Sequence, residues 1–463
     1  MASDAVLTVT EMRAAEAAAV SQGTSEWELM QRAGEGAADY VWRIAAGRPV
    51  TVLCGPGNNG GDGYVLAEVL RTRGLDVAVV APVEPGTDTA TTARKNYQGA
   101  VQTSVAGLAK PVMVDCLFGY GLSRPLEGAF AQVFAEATAS HPYRIAVDVP
   151  SGVASDSGEL LGEVPRCDLT LALGAWKQAH FLMSSLAVMG EKRLVPIGLD
   201  LPEDSARLAP LPALSPPAAN SHKYTRGLLA IVVGAMPGAA MLAAQAALRS
   251  GAGYVKLMSE HSHPDAPAEL VIEGGDLAKS LDDERIAALL IGPGLGRDNG
   301  ARDRLCAVFD TRVPCVLDAD ALHLLDPDLL EGCDAARLLV TPHEGELAKL
   351  CEAFGIEEEG KLDRARALHE ATGLAVLAKG PDTILIAAEG LRFFPQGSSW
   401  LSVAGTGDVL AGIAAARLAV HGDPALAAEE AVHLQHEAAA IAGPGLTSGQ
   451  LAHAVQPAME RFL

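Results

Sequence analysis

Basic side chains are scarce in this chain. Among 463 residues, 35 Lys and Arg stand against 57 Asp and Glu, a formal net charge of −22 at pH 7. Such a balance excludes non-specific binding to nucleic acid or to an anionic membrane. Any phosphate the protein holds must be held by backbone N–H groups and helix ends. No apolar run is long enough to cross a bilayer. The first residues carry Asp4, Glu11 and Glu16 in place of an apolar leader core, so no signal peptide is expected. The seven cysteines (54, 116, 167, 306, 315, 333 and 351) are odd in number, scattered and never spaced as CxxC. They read as reduced thiols of a cytoplasmic protein. His433 and His436 lack the H-E-x-x-H pattern of a zinc site. There is no G-x-x-x-x-G-K-[ST], so this is not a P-loop enzyme, and no repeat of solenoid period.

What is present is small and apolar. Hydrophobic residues make up 49% and there are 48 glycines, a composition that fits close-packed α/β layers. The length implies two domains. Five prolines between 202 and 220 argue against regular structure there, so the expected division is 1–205, a linker at 206–220, and 221–463.

In the first half, Thr10 is expected to cap a helix beginning at Glu11, and a second helix runs from Ser25 to about Ala45. Pro49–Cys54 reads as a buried strand. It feeds Gly55-Pro56-Gly57-Asn58-Asn59-Gly60-Gly61-Asp62-Gly63, then a helix from Tyr64 to Arg73 and a strand from Leu75 to Ala81. This is a βαβ unit with a glycine-rich first turn. Gly55, Gly57 and Gly60 satisfy the dinucleotide pattern G-x-G-x-x-G, with Glu84 as the acid after the next strand. Pro56 and the Asn58–Asn59 pair in the variable positions suit a cation or a ligand's polar edge equally well. Two further strands end on Asp115 and on Asp148 and Ser151. Parallel strands share one carboxyl edge, so Asn59, Asp115, Asp148 and Ser151 are expected to converge there. The bland alternative is that the two aspartates cap loops. Lys177 taken alone reads more readily as a solvated surface residue.

The second half alternates strands (227–234, 254–258, 287–291, 314–318, 338–341, 375–379) with helices, ending in a strand pair at 384–387 and 391–394. This pattern implies a mostly parallel sheet covered on both faces. Ala404-Gly405-Thr406-Gly407-Asp408 precedes an apolar helical run from Val409 to Val420. A helix start with flexible glycines offers N–H groups to a phosphate. Asp408 there is either a base beside that anion hole or an ordinary N-cap. Asp318 and Asp320, His343 and Lys379 each have a bland reading as strand end, cap and solvated cation.

Taken together, LMQRAG, GPGNNGGDG, DCLFGYG and DVPSG resemble the NAD(P)HX epimerase domain over nearly the whole first half. The resemblance implies a Rossmann-like, doubly wound fold that interconverts R- and S-NAD(P)HX. It implies potassium at Asn59, Asp115 and Ser151. It also implies substrate contacts from Asn58, Asn59, Gly60, Gly61 and Asp62, from Gly119, Tyr120, Gly121, Leu122, Ser123, Arg124 and Pro125, and from Asp148. Asp148 is then the proton-transfer carboxylate. The family's Lys-x-Gly is Lys177-Gln178-Ala179 here. GPGLG, DADAL, TPHEGE, KGPDT and AGTGDVLAG, in this order from about His222 onward, resemble the ADP-dependent NAD(P)H-hydrate dehydratase with its ribokinase-like α/β fold. That resemblance makes Asp408 the catalytic Asp. It assigns Lys379, Gly380, Pro381, Asp382, Thr383 and Gly407 to the adenine nucleotide, and Ala240, Gly294, His343 and Asp408 to the hydrated cofactor. ADP is then the co-substrate, with magnesium, and AMP and phosphate are released. The loop 234–238 is shorter than the family's. The expected partners are the small molecules NADHX and NADPHX and further copies of the chain. A ribokinase-like small-molecule kinase fused to a non-catalytic nucleotide-binding domain is the competing reading.

Overall fold

A computed structural model describes residues 4–108, 110–260, 263–264 and 266–463. The chain forms two compact units, 1–208 and 209–463.

The first unit is built on a parallel sheet. Its order is Val101–Gln102, Val77–Val80, Val50–Cys54, Val112–Cys116, Tyr143–Val147, Leu169–Leu173 and Glu191–Val195. The chain starts in the middle of this sheet, at Val50–Cys54, winds outward in one direction, then returns and winds in the other. Val50–Cys54 and Val112–Cys116 are adjacent but diverge in direction of winding, which opens a crevice beyond their carboxyl ends. A small ribbon pairs Ala5–Leu7 antiparallel to Ala206–Leu208 and parallel to Trp176–Lys177, with Leu7 opposite Lys177.

Three sequence expectations change. The first helix is Val9–Ser21, capped by Thr8, whose hydroxyl accepts from the Glu11 N–H while the Glu11 carboxylate accepts from the Thr8 N–H. This reciprocal box leaves Thr10 inside the helix. The glycine-rich stretch is not a free turn: helix Asn58–Thr72 begins within it, with Gly57 as N-cap. Its glycines serve close packing; a Cβ at Gly60 would stand 1.9 Å from the Gly55 carbonyl oxygen. Finally, the proline-rich stretch is partly ordered into the units. Ala206–Leu208 is a strand, and the N–H groups of Ala209 and Leu214 donate to the carbonyls of Phe393 and Phe462. Backbone groups placed against a core must find partners, whatever the proline content.

The second unit orders its strands Val271–Glu273, Tyr254–Met258, Leu228–Val232, Ile286–Ile291, Cys315–Leu317, Leu338–Val340 and Ala375–Ala378, all parallel. Ile384–Ala387 and Gly390–Phe393 complete the order antiparallel. The central parallel strands are buried almost throughout, as a sheet covered on both faces requires, whereas the edge strand Val271–Glu273 is partly exposed. Helix Thr406–His421 is apolar on nearly every side and lies in the core against Pro237–Ala247. The two approach so closely that a Cβ at Gly412 would stand 2.1 Å from the Ala243 carbonyl oxygen.

Candidate active sites

The first site lies where strands Val50–Cys54, Val112–Cys116 and Tyr143–Val147 end. Asp148 follows the last of these in a left-handed conformation, φ 68°, that few residues other than glycine adopt. Its main chain is fixed from both sides: its N–H donates to Leu171 O at 2.7 Å, and His180 Nε2 lies 2.9 Å from its carbonyl. Burial and the adjacent Lys177 hold His180 down at about 4, so its ring is neutral and donates there. The Asp148 carboxylate receives Lys177 Nζ at 2.5 Å on Oδ1 and the Tyr120 N–H at 2.8 Å on Oδ2. Lys177 is not a surface lysine: it is 0% exposed, and its second partner is Leu173 O at 2.6 Å. Its ammonium also stands 5.4 Å from the centre of the Tyr120 ring. Tyr120 Oη in turn donates to Glu16 Oε2 at 2.7 Å.

Beside this lies a second group. Asp115 accepts from the Ser151 N–H at 2.9 Å, from Ser151 Oγ at 2.8 Å and from the Leu117 N–H at 3.1 Å. Burial nevertheless pushes its carboxyl up to about 6. Asn59 has both side-chain polar atoms buried and without a partner among the described residues. A Cβ on Gly119 would lie 2.7 Å from Asp148 Oδ2 and 3.2 Å from Asn59 Cγ, so all three border one space. Asn59, Asp115, Asp148 and Ser151 thus stand at one edge, as the strand order requires. Asn58 points away from them and accepts from Thr87 Oγ1 at 2.7 Å. Residues 121–125 form an exposed loop, within which Leu122 is half-buried.

The second site lies at the ends of Cys315–Leu317, Leu338–Val340 and Ala375–Ala378. Asp318 Oδ1 accepts from Lys379 Nζ at 2.6 Å and from Thr341 Oγ1 at 2.7 Å. Lys379 Nζ would be 3.4 Å from a Cβ on Gly407, which places the cation at the start of helix Thr406–His421. The N-cap of that helix is Gly405 at φ 89°, with no side-chain cap, so Asp408 is not an N-cap. The Asp408 carboxyl is pushed up to about 6, by burial first and then by the charge of Asp318, with Lys379 opposing. Thr406 is turned back onto Leu401 O and Val403 O, and Ser448 Oγ donates to Ala404 O, which fixes the approach to the helix. The first-turn N–H groups remain free of intrahelical partners.

His343 is a cap, as its bland reading had it. Its Nδ1 accepts from the Glu346 N–H at 3.1 Å, while the side chain stays 62% exposed. Asp320 does not pair with Asp318; it accepts from Arg297 Nε at 2.7 Å and the Gly296 N–H at 3.0 Å, bracing the GPGLG loop. Gly294 meets the short loop 234–238 through the Met236 N–H at 2.9 Å. Ala240 is fully buried in the core, and the accessible residues of that turn are 235–238. Asp382 turns inward to Lys361 Nζ at 2.6 Å, and Thr383 Oγ1 bonds Gly380 O at 2.8 Å. Together they shape the loop 379–383 and leave its backbone to face a ligand. Sequence reasoning passed over Glu16, His180, Thr341, Glu346 and Lys361. The available signal for Thr341 was its place at a strand end beside Asp318; nothing local marked Glu16.

Two parallel sheets, each ending in carboxylates beside an uncapped helix start, define enzymes that handle nucleotides at their strand ends. Residues 26–179 match the family described as YjeF-related protein N-terminus, and residues 229–456 that described as NAD(P)H-hydrate dehydratase. The bifunctional NAD(P)H-hydrate repair enzyme Nnr of Mycobacterium tuberculosis is 34% identical over 430 residues, covering 89% of this chain and 88% of that one. Its Escherichia coli counterpart is 35% identical over 428 residues, covering 86% and 81%. Among solved structures, the ADP/ATP-dependent NAD(P)H-hydrate dehydratase from Bacillus subtilis, co-crystallised with ATP and Mg2+, has a TM-score of 0.46 and 26% identity, covering 54% of this chain and 95% of that one. The chain belongs to the family of bifunctional NAD(P)H-hydrate repair enzymes, with a doubly wound first unit and a second unit built on a mostly parallel α/β sheet.

Proposed function

We propose that each unit carries one half of the repair. The first, within 1–205, interconverts the R and S forms of NADHX and NADPHX. The second, within 221–463, dehydrates the S form at the expense of ADP. The observation that carries this reading is Asp408: an uncapping, partly buried carboxylate at a helix start, beside Lys379 and Asp318.

Hydroxide is a poor leaving group and phosphate a good one. Asp408 takes the proton of the ring hydroxyl as its oxygen attacks the β-phosphorus of ADP, and AMP leaves. The Gly405–Gly407 turn and Lys379 stabilise the transferring phosphoryl group. Phosphate then departs with cleavage of the C–O bond, and loss of a ring proton restores NAD(P)H. The adenine nucleotide lies along Lys379, Gly380, Pro381, Asp382 and Thr383. The hydrated ring lies toward Gly294, His343 and the 235–238 turn. Among the described residues no group of three or more His, Cys, Asp or Glu side chains forms a metal cage. Magnesium therefore arrives with the nucleotide phosphates, as this ion commonly does.

At the first site, Asn59, Asp115 and Ser151 offer oxygen to a hard cation, and the unpaired buried amide of Asn59 fits potassium there. When bound, potassium adds positive charge beside the substrate. Asp148 moves the proton on the carbinolamine oxygen, and Lys177 holds its carboxylate in place. The substrates are the small-molecule hydrates NADHX and NADPHX, the chain acts in the cytoplasm, and it assembles with copies of itself. The test is to supply mixed NADHX epimers with ADP and follow NADH absorbance. Recovery of NADH supports the reading, whereas a stable phosphorylated product points to an ordinary kinase.

A further inference from the structure

Epimerisation through ring opening needs two proton transfers, and the residues described so far supply one. When the N1–C6 bond breaks, the C6 hydroxyl becomes an aldehyde and gives up its proton. The electron pair of the broken bond passes to N1, which takes a proton. Reclosure on the other face of the aldehyde reverses both transfers. Asp148 sits ready for the oxygen; an acid is needed for the nitrogen.

Asp62 is 8% exposed and has no hydrogen-bond or ion-pair partner among the described residues. It lies one turn after Asn59 on helix Asn58–Thr72, and residues three apart share a helix face. Asn59 borders the same space as Asp148 and Gly119, and its own amide is also buried and unpaired. The buried, unpaired amide of Asn59 and the buried carboxyl of Asp62 thus share a helix face, at the space that Asp148 borders, and mark a surface suited to a polar ligand.

We infer that Asp62 is the second catalytic residue of epimerisation, standing as a neutral carboxylic acid that protonates N1 on opening and recovers that proton on closure. This rests on the proposal that the first unit is the epimerase. The electrostatic setting agrees. Burial raises the Asp62 carboxyl well above the usual range, and the charges of Asp148 and then Glu16 add to it, with only Lys177 opposing. The buried thiols of Cys54 and Cys116 also feel Asp62. The helices packed on either side contribute Glu26 and Arg94, of which Arg94 stands over the Tyr64 ring. A carboxylate paired with a buried cation beside an unpaired carboxyl is an arrangement that can divide base from acid.

The full-length protein is given a single purified NADHX epimer without nucleotide, and the approach to the R/S mixture is followed by chromatography across pH. Wild type should slow at high pH as Asp62 loses its proton. Asp62→Asn should lower kcat by roughly 10²–10⁴-fold with KM nearly unchanged, and its residual rate should lack the high-pH decline. Asp62→Glu should restore part of the rate. An Asp62→Asn enzyme with wild-type kcat, or with reduced kcat and the same high-pH decline, overturns the inference. If Asp62→Asn fails to fold, shown by loss of the first unit's transition in denaturant unfolding, the wild-type profile decides, and a rate that does not decline at high pH overturns it. A wild-type enzyme that never mixes the epimers refutes the epimerase proposal itself.

Discussion

Asp408→Asn removes one oxygen's charge with almost no change of shape, which makes it the sharpest perturbation of the dehydratase site. If Asp408 takes the proton of the ring hydroxyl, the loss is that of a positioned general base, roughly 10²–10⁴-fold in kcat. That corresponds to about 3–5 kcal/mol of transition-state stabilisation. The surroundings of Asp408 add a second, independent expectation. Its carboxyl is raised from 3.8 to about 6 by burial and by Asp318. A base works only when ionised, so the dehydration rate should climb as pH rises through about 6. Asp318→Asn removes the like charge and leaves Lys379 acting on Asp408, so the climb should move to lower pH. The maximal rate also falls there, because Lys379 loses its 2.6 Å partner; the position of the climb is the diagnostic quantity. The assay is the initial rate of NADH formation from S-NADHX with ADP across pH. An Asp408→Asn enzyme that keeps its rate, or an Asp318→Asn enzyme whose climb moves to higher pH, refutes the reasoning.

Other outcomes follow from particular contacts. Lys177→Met leaves the Asp148 carboxylate buried without its cation and should destabilise the first unit by about 3–5 kcal/mol. Adding Asp148→Asn should return part of that loss in denaturant unfolding, and strict additivity of the two substitutions would contradict a direct pair. Gly412→Ala drives a Cβ to within 2.1 Å of the Ala243 carbonyl oxygen and should cost about 1–3 kcal/mol; an unchanged midpoint would mean the helices separate freely. Asp115 is wholly buried with its carboxyl raised from 3.8 to about 6, so in the native state it keeps its proton longer than in the unfolded chain. Its contribution is complete below pH 3.8 and is lost as pH rises through about 6, up to about 3 kcal/mol. Potassium should reduce that loss above pH 6, since only the ionised carboxylate holds the cation. Melting curves in potassium and in a large organic cation test this, and identical curves would count against the site.

Strand ends were the most legible part of the sequence. Asp115, Asp148, Ser151, Asp318 and Lys379 each close an apolar run, and parallel winding brings such ends to one edge, where the structure has them. The start of helix Asn58–Thr72 was not legible, because glycines signal turns, whereas Gly60 is there to admit the Gly55 carbonyl. Thr8 was passed over for Thr10 because both precede the same helical run; the capping box to Glu11 is what separates them. Lys177 could not be read from its own neighbourhood. Its burial comes from its 2.5 Å bond to Asp148, 29 residues earlier in the chain. Glu16 is likewise defined by Tyr120, 104 residues away. Local patterns mark caps and strand ends; which charge meets which is decided by the tertiary fold.

The central claim is that one chain holds both halves of the repair, in separate sites that share a substrate. It is tested most directly by giving the protein an equal mixture of R- and S-NADHX with ADP and magnesium and recording NADH by absorbance to completion. The wild-type enzyme should convert the whole mixture. Asp148→Asn should stop after the S portion, and Asp408→Asn should form no NADH while still equilibrating the epimers. No NADH from the wild type with either ADP or ATP, or loss of both activities in Asp408→Asn, would contradict the account.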